Sequence, residues 1–293
     1  MPGIATVPGR YAFRVATAAG WTEIGDRVFV RRYAFYNQNI GVVLARDAAL
    51  VIDTRTTYPQ AREILDDLRE LTSAPVEVVV DSHGHYDHAF GNAVFRPATI
   101  WGHVGCGPFM ARTGDARRPE LVAELPDLAT ELREVVVDPP DRTFEERAVV
   151  DVGDRQVELR YLGRGHTDHD AVVLVPGTGV LFAGDLLEGG AVPSFGDSYP
   201  LEWPATVDRL LPLVERIAVP GHGDPGGPDW VAEQAAALYA VADLGRRVAA
   251  GEIGLDEAVA SNPYRRFPAE NIRRPIRRAA AQARCELRRM RTA

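Results

Sequence analysis

The sequence predicts an α/β (α+β) protein that carries a helical extension at its C-terminal end. Short segments rich in β-branched and aromatic residues fill 27–54, as is typical of consecutive sheet strands. The run VEVVV at 76–80 is continuous and apolar, as expected of a strand that is buried on both faces. From Pro228 onward, the apolar residues recur at the spacing of a helix rather than that of a strand.

Between the segments described above, predicted strands alternate with predicted helices. An amphipathic helix is predicted over 58–71, with Pro59 suited to its first turn, and we expect it to pack back onto the sheet. Further strands are predicted at 98–103, in a pair around the Gly153-Asp154 turn, and on both sides of a Pro-Gly-Thr-Gly turn in 171–185. The other expected elements are helix and irregular structure at 104–140, a helix at about 203–214, a strand ending at 222, and C-terminal helices interrupted at Gly251, Pro263 and Pro275.

The length of 293 residues and the hydrophobic content of 46% allow one large core with additional helices. We expect an N-terminal extension at 1–26, a catalytic domain at 27–227 and a C-terminal helical extension at 228–293. The N-terminus lacks an apolar segment of signal-peptide length, and no other stretch approaches the roughly 18 apolar residues of a membrane span. These features predict a cytoplasmic protein with no membrane partner, and its oligomeric state stays open.

Charge is distributed unevenly along the chain. Residues 264–293 contain ten arginines and two glutamates, a local charge of +8, so that −16 falls on the remainder of a chain whose net charge is −8. We expect the arginine-rich tail to form a helix that packs against the body, with its arginines solvated or ion-paired. Binding of a nucleic acid or another polyanion is the alternative.

Potential metal ligands are concentrated directly after the predicted strand at 76–80. The segment DSHGHYDHAFGN contains His83, His85, Asp87 and His88, which are four potential ligands within six residues. Imidazole nitrogens and carboxylate oxygens suit zinc well. Because such clustering rarely serves packing, the segment predicts a metal site at the end of a sheet strand.

Three later residues end apolar runs in the same way. His166 follows VELRYLGRG, Asp185 ends GVLFAG and His222 ends RIAVPG, each beside a glycine that lets the backbone approach closely. A metal at the rim of a sheet collects ligands from several connections. The joint recurrence of these strand ends therefore predicts that all three residues join the first four.

The order of these motifs resembles the metallo-β-lactamase superfamily, in which an HxHxDH loop precedes a distant His, a distant Asp and a final His. The resemblance spans roughly residues 27–225 and implies a four-layer αβ/βα sandwich with two zinc ions at one edge. It implies that one zinc is held by His83, His85 and His166, that the second is held by Asp87, His88 and His222, and that Asp185 bridges both.

The resemblance implies hydrolysis of a small molecule. Two zinc ions about 3.5 to 4 Å apart can share a hydroxide and lower its pKa toward neutrality. We expect this hydroxide to attack an ester, thioester, lactone or amide carbonyl, with Asp87 as the catalytic residue that orients the attacking oxygen. A bridging Asp185 resembles glyoxalase II, lactonases and RNase Z rather than the antibiotic-degrading lactamases, which carry Cys or Ser there. Efficient β-lactam hydrolysis is therefore not the first expectation.

Two other enzymatic functions stay open as alternatives. A mononuclear iron persulfide dioxygenase shares the HxHxDH loop but uses only two His and one Asp as ligands. A zinc phosphodiesterase or nuclease of the RNase Z type shares every ligand, although a body charge of about −16 repels a phosphate backbone, so a nucleic-acid partner is not expected. The complete ligand set argues against a non-catalytic scaffold, and His85 argues against flavodiiron oxygen reductases, which have Glu there.

Residues near the motif have predicted supporting roles. Asp53 ends the strand ALVIDT, and we expect it to support the metal loop by accepting a hydrogen bond from a ligand imidazole, with simple turn capping as the alternative. His169 and His103 are expected to lie outside the ligand set. The loop at 188–203 is expected either to line a substrate pocket or to be anchored by packing of its aromatic residues, Phe195, Tyr199 and Trp203.

Overall fold

Fourteen strands in the described part of the chain form two layers. The computed structural model describes residues 4–6, 12–15 and 20–292, and the side chains of residues 20–289. Most of the predicted extension at 1–26 therefore lies outside the described side chains. The first layer contains, in spatial order, β1 (Ile4–Thr6), β2 (Ala12–Val15), β3 (Thr22–Gly25), β4 (Val28–Tyr33), β5 (Gln38–Leu44), β6 (Ala49–Ile52), β7 (Val76–Val80), β8 (Thr99–His103) and β9 (Arg142–Phe144).

The second layer is built from the later strands. Its members are β10 (Arg147–Val152), β11 (Arg155–Tyr161), β12 (Ala171–Val175), β13 (Val180–Glu188) and β14 (Ile217–His222). Both layers are mixed, because β6 to β9 run parallel in the first layer and β13 runs parallel to β14 in the second. The two layers meet where His222 of β14 pairs with Gln38 of β5.

Helices cover the outer face of each layer. They are α1 (Tyr58–Leu68), α2 (Tyr86–Ala89), α3 (Cys106–Glu124), α4 (Ala129–Glu134), α5 (Trp203–Leu210), α6 (Pro228–Ala250), α7 (Leu255–Ala260) and α8 (Ala269–Thr292). None of these helices is both long and apolar enough to span a membrane.

The core explains why the layers stack in this order. Val78 and Val80 of β7 belong to the apolar cluster between the two sheets, whereas Val79 belongs to the cluster that packs under α1. The prediction that this strand is buried on both faces is confirmed. Leu181 of β13 packs with Leu238 of α6 on the outer side of the second sheet. The resulting order of helices, sheet, sheet and helices is the predicted αβ/βα sandwich.

The arginine-rich tail folds as predicted, with one difference. The buried side chains of Ile276 and Ala279 place α8 against the body, and Gly245 of α6 has no room for a Cβ beside Ala279. Pro275 was expected to interrupt this helix but lies inside it, with its side chain buried. The apolar face of α8 packs through this position, which offsets the hydrogen bond that a proline cannot donate.

Candidate metal centre

All seven side chains predicted from the sequence come together at one edge of the sandwich. Strand β7 is parallel to its neighbours β6 and β8, so its end leads the chain to the same edge as theirs. The short helix α2 begins after His85 and carries Asp87 and His88 on a single turn. The remaining members arrive from the second sheet: His166 from the β11–β12 connection, Asp185 from within β13 and His222 from the end of β14.

Three imidazoles form the first group. Nε2 of His83 lies 2.9 Å from Nδ1 of His85, and Nε2 of His166 lies 2.8 Å from the same nitrogen. Their ligand atoms all lie within 4.8 Å of one another. Three nitrogens that converge in this way could hold a metal ion.

Asp87, His88 and His222 form the second group. Nε2 of His88 lies 3.1 Å from Nε2 of His222, and Oδ2 of Asp87 lies 3.4 Å from the same atom of His222. The group combines two nitrogens with one carboxylate oxygen, which also suits a metal ion.

Asp185 lies between the two groups. Its Oδ2 is 3.5 Å from Nε2 of His166 in the first group, and its Oδ1 is 3.5 Å from Nε2 of His222 in the second. Oδ1 is buried and receives no hydrogen bond from any described residue. A buried carboxylate oxygen without a donor is costly unless a cation compensates it, so this atom fits a metal ligand.

In each of the five imidazoles, the inner ring nitrogen faces the other potential ligands. The outer ring nitrogen points away from them and lies within hydrogen-bonding distance of an acceptor. A ring that donates its outer N–H keeps a lone pair on the inner nitrogen, which is the atom that a metal requires. The acceptors are Ser82 Oγ for His83 (3.1 Å), Asp197 Oδ2 for His85 (3.0 Å), Asp53 Oδ2 for His88 (2.8 Å), the Ser194 carbonyl for His166 (3.1 Å) and the Tyr36 carbonyl for His222 (2.8 Å). The donor set therefore fits a metal centre.

Asp53 makes the contact that the sequence predicts. In addition to His88, its carboxylate accepts hydrogen bonds from the backbone N–H of Ser82 (2.7 Å) and from Ser82 Oγ (2.9 Å). The backbone of Asp53 has a φ of +67°, in the left-handed region that non-glycine residues seldom adopt. The hydrogen bonds of its carboxylate to the metal loop thus hold Asp53 in an unusual backbone conformation next to the site.

Glycines next to the proposed ligands leave room for neighbouring side chains that a Cβ would displace. A Cβ on Gly221 would lie 1.9 Å from Oδ1 of Asp185, and a Cβ on Gly184 would lie 2.8 Å from the Cβ of Ser82. Gly184 also has a φ of +52°. These contacts confirm that the glycines beside Asp185 and His222 let neighbouring strands and loops approach closely.

The electrostatics of the site favour neutral imidazoles at His83 and His166 and an ionised carboxylate at Asp87. Burial lowers the pKa of His83 and of His166, which keeps both rings neutral. Burial raises the pKa of Asp87, but the neighbouring His88 and His222 outweigh it and lower this pKa to about 2.

A cleft of about 360 Å³ opens onto both groups. Besides the predicted ligands, its walls include Tyr36, Tyr86, Arg117, Asp197 and Arg274. The expectation that the aromatic residues of the 188–203 loop line the pocket is wrong, and the packing alternative is confirmed. Phe195 and Trp203 are buried in the core behind His166, and the hydroxyl of Tyr199 donates to Asp168 instead.

The other two histidines lie outside the metal-binding groups that the described residues form. His169 is fully buried, and its Nε2 accepts a hydrogen bond from the backbone N–H of Gly84, between His83 and His85. His103 stacks on the ring of Tyr161 with a centroid distance of 4.2 Å. His169 therefore positions the loop, and His103 is a packing residue.

Sequence reasoning missed Glu188. Its carboxylate groups with His166 and Asp185, accepts a hydrogen bond from the backbone N–H of Ser194 (2.8 Å), and has a pKa raised to about 8 by burial and by Asp185. Strand alternation would put residues three apart on opposite faces, but an irregularity between Gly184 and Glu188 breaks that alternation. The sequence signal was a glutamate that follows Asp185 after two leucines and directly precedes two glycines.

Comparisons with known proteins agree with this geometry. A family model described as the metallo-beta-lactamase superfamily matches residues 33–222. The chain is 22% identical to the metallo-beta-lactamase type 2 of Bacteroides fragilis, over 72% of this chain and 81% of that relative. It is 23% identical to the linear primary-alkylsulfatase of Pseudomonas sp. (strain ATCC 19151), over 63% of this chain but only 41% of that relative.

A solved structure shows the same fold. The metallo-beta-lactamase from Pontibacter korlensis superposes with a TM-score of 0.62 at 22% identity, and the match covers 75% of this chain and 98% of that one. The predicted resemblance is confirmed by these matches and by the groups of His and Asp that could hold metal. Since the family model covers well over half of the 293 residues, this chain belongs to the metallo-beta-lactamase superfamily, whose members are mostly metallo-hydrolases.

Proposed function

We propose that the protein is a dinuclear zinc hydrolase that attacks an ester, thioester, lactone or amide carbonyl of a small molecule. In this proposal, each group of three side chains holds one zinc ion and a shared carboxylate contacts both. The ligands are His83, His85 and His166 for the first ion, Asp87, His88 and His222 for the second, and Asp185 for both.

One observation carries the proposal. The carboxylate of Asp185 turns one oxygen toward each group, with 3.5 Å to His166 on one side and 3.5 Å to His222 on the other. A mononuclear site needs only one such group, whereas this arrangement supplies two complete groups and a carboxylate between them. All five imidazoles also donate their outer N–H, which leaves the inner nitrogens available.

When bound, two zinc ions would supply Lewis-acid activation of the carbonyl and a hydroxide nucleophile at neutral pH. The protein contributes orientation. Asp87 is held from two directions, because its carboxylate lies 3.4 Å from His222 and its backbone carbonyl accepts a hydrogen bond from the buried Gln38. We infer that this restrained carboxylate directs the attacking oxygen toward the substrate carbonyl.

The cleft favours a small substrate. Its volume of about 360 Å³ is in the range of small-molecule sites, and Tyr36, Tyr86 and Ala191 give it partly apolar walls. The charge of −16 outside residues 264–293 disfavours the phosphate backbone of a nucleic acid. A nuclease therefore remains a weaker alternative than a hydrolase of small carbonyl compounds.

A second reaction class is favoured by a specific comparison. One relative is a linear primary-alkylsulfatase, so primary alkyl sulfates are a further candidate substrate class for the same centre. Two other relatives, from Bacteroides fragilis and from Bacillus sp. (strain 170), are metallo-beta-lactamases, so β-lactams also belong among the compounds to be tested.

The test combines metal analysis with a substrate screen. Elemental analysis of the native protein is expected to find two zinc ions per chain. The same preparation is then assayed on lactones, thioesters, aryl esters, β-lactams, alkyl sulfates and phosphodiesters. Turnover of a carbonyl substrate that disappears with a chelator and returns with zinc supports the proposal. One iron per chain without zinc would instead favour a persulfide dioxygenase, and phosphodiester turnover alone would favour a nuclease.

A further inference from the structure

Helix α8 brings arginines to the cleft from outside the part of the chain that the family model matches. The match ends at residue 222, whereas α8 begins at Ala269. Arg274 of this helix lines the cleft together with the metal-site residues His85, His166 and Asp185. The extension is therefore part of the wall around the site.

The arginines of α8 fall into two classes. Arg278 donates hydrogen bonds of 2.9 Å to the carbonyls of Asp197 and Ser198, and Arg273 pairs with Asp256. Both of these side chains are occupied by contacts within the protein. Arg274 is exposed and has no hydrogen bond or ion pair with any of the described residues.

The position of Arg274 brings its charge close to the metal-site residues. A Cβ on Gly196 would lie 3.3 Å from Nη2 of Arg274, so the guanidinium lies against the backbone of the 194–199 loop. The next residue in that loop, Asp197, has its carboxylate engaged by His85 at 3.0 Å. The acidic side chain of the 194–199 loop is thus already engaged, and Arg274 makes no ion pair with it.

A second guanidinium adds positive charge to the same cleft. Arg117 of α3 is exposed and also lines this cleft, and its ion pair with Glu124 at 3.8 Å is a loose surface pair. Two helices therefore present arginines to one opening. Guanidinium groups match the planar, forked geometry of oxyanions such as carboxylates.

We propose that Arg274, supported by the charge of Arg117, binds an anionic group of the substrate and makes the enzyme selective for anionic over neutral substrates. This inference rests on the proposed hydrolase function and specifies its substrate class. The anionic group occupies the mouth of the cleft, while the bond that is cleaved lies over the ligand groups. Arg274 is then a specificity-determining residue contributed by the C-terminal extension.

The helix offers a matched control in Arg277. It is also exposed and has no ion pair with a described residue, and its loss changes the net charge by the same amount. Both arginines line a neighbouring surface depression with Gly196 and Glu270, but only Arg274 also lines the cleft at the metal site. If the overall positive charge of α8 attracted the substrate, replacing either arginine would have the same effect. If Arg274 binds the substrate directly, only its replacement changes the preference for anionic substrates.

The experiment uses two pairs of esters that differ only in a terminal charge. The para-nitrophenyl monoesters of adipic and suberic acid are compared with para-nitrophenyl hexanoate and octanoate, in which a methyl group replaces the carboxylate. The readout is the ratio of kcat/KM for the anionic ester to that for its neutral partner. Wild-type protein is expected to prefer the anionic esters, and Arg274→Gln to lower that ratio about tenfold or more. Arg277→Gln is expected to keep this ratio within about twofold of the wild-type value. Raising the salt concentration from about 0.05 to 0.5 M is expected to lower the ratio in the wild-type protein.

A binding measurement separates this inference from the hydrolase proposal. Calorimetric titration of adipate into the same zinc-loaded preparations is expected to show weaker binding to Arg274→Gln and unchanged binding to Arg277→Gln. If neither these esters nor any compound of the substrate screen is turned over but this difference in binding is seen, the hydrolase proposal fails and anion recognition stands. The inference is overturned if the ratio of kcat/KM values is equal in all three proteins or falls equally in both variants. It is also overturned if Arg274→Gln binds adipate as tightly as the wild type does.

Discussion

The carboxylate of Asp197 lies 3.0 Å from Nε2 of His85, and this contact connects the C-terminal helix to the metal site. The backbone carbonyl of Asp197 accepts a hydrogen bond of 2.9 Å from Arg278 of α8. An arginine outside the family-matched region thus holds the loop that orients one of the proposed ligands. Acceptors of this kind fix the tautomer and the direction of a ligating imidazole.

The first prediction follows from that contact. Asp197→Ala should weaken zinc binding about 10- to 100-fold, because the His85 ring loses the acceptor that orients it. Zinc affinity is measured by competition with a chromophoric chelator. Asp66→Ala is the control, since Asp66 of α1 is also exposed and pairs with Arg69, outside the metal-binding groups of the described residues. Similar affinities for both variants would remove Asp197 from the support of the site.

The second prediction concerns the carboxylate between the two groups. Asp185→Ala should lower the occupancy of both metal positions and abolish turnover, because each carboxylate oxygen faces a different group. His103→Ala should retain its metal and stay within a few fold of wild-type activity, since that ring stacks on Tyr161 away from the metal-binding groups. Metal content after desalting and kcat/KM are measured for both proteins. Equal losses in the two variants would show that the site assignment is wrong.

The third prediction tests a position that is not a ligand. Gly221→Ala would place a Cβ 1.9 Å from Oδ1 of Asp185, so that carboxylate must move away from its present position. We expect the variant to bind less zinc and to gain less thermal stability from added zinc than the wild type does. Gly254→Ala is the control, because a Cβ there meets no atom within 4 Å. The measurement is the shift of Tm on zinc addition, and a wild-type shift in Gly221→Ala would contradict the close packing described above.

The fourth prediction addresses the proposed catalytic role of Asp87. Asp87→Asn keeps the shape and one oxygen ligand but removes the negative charge, so kcat should fall on the order of 10²-fold or more. KM should change less, since the substrate is held mainly by other walls of the cleft. Both constants are measured at verified full zinc loading on the substrate found by the screen. An unchanged kcat with both metals present would leave Asp87 as a ligand without a catalytic function.

The fold and the inner side chains of the site could be predicted because their signals are local in the sequence. The run VEVVV predicts a buried strand from its own composition, and the HxHxDH segment that follows it gathers four side chains within six residues. His166, Asp185 and His222 were found because the same pattern, a His or Asp beside a glycine at the end of an apolar run, recurs three times. Strand ends meet at the edges of sheets, so a one-dimensional pattern was enough to expect these residues to meet.

The surroundings of the site were decided by the tertiary structure. The directions of Phe195 and Tyr199 depend on which surfaces the 188–203 loop packs against, and the inclusion of Glu188 depends on an irregularity in β13. Arg274 reaches the cleft, and Arg278 reaches the backbone of Asp197, only because α8 docks on α6, more than 70 residues after Asp197. Such contacts join segments that are distant in the chain, and they result from packing free energy summed over many side chains, which no local pattern contains.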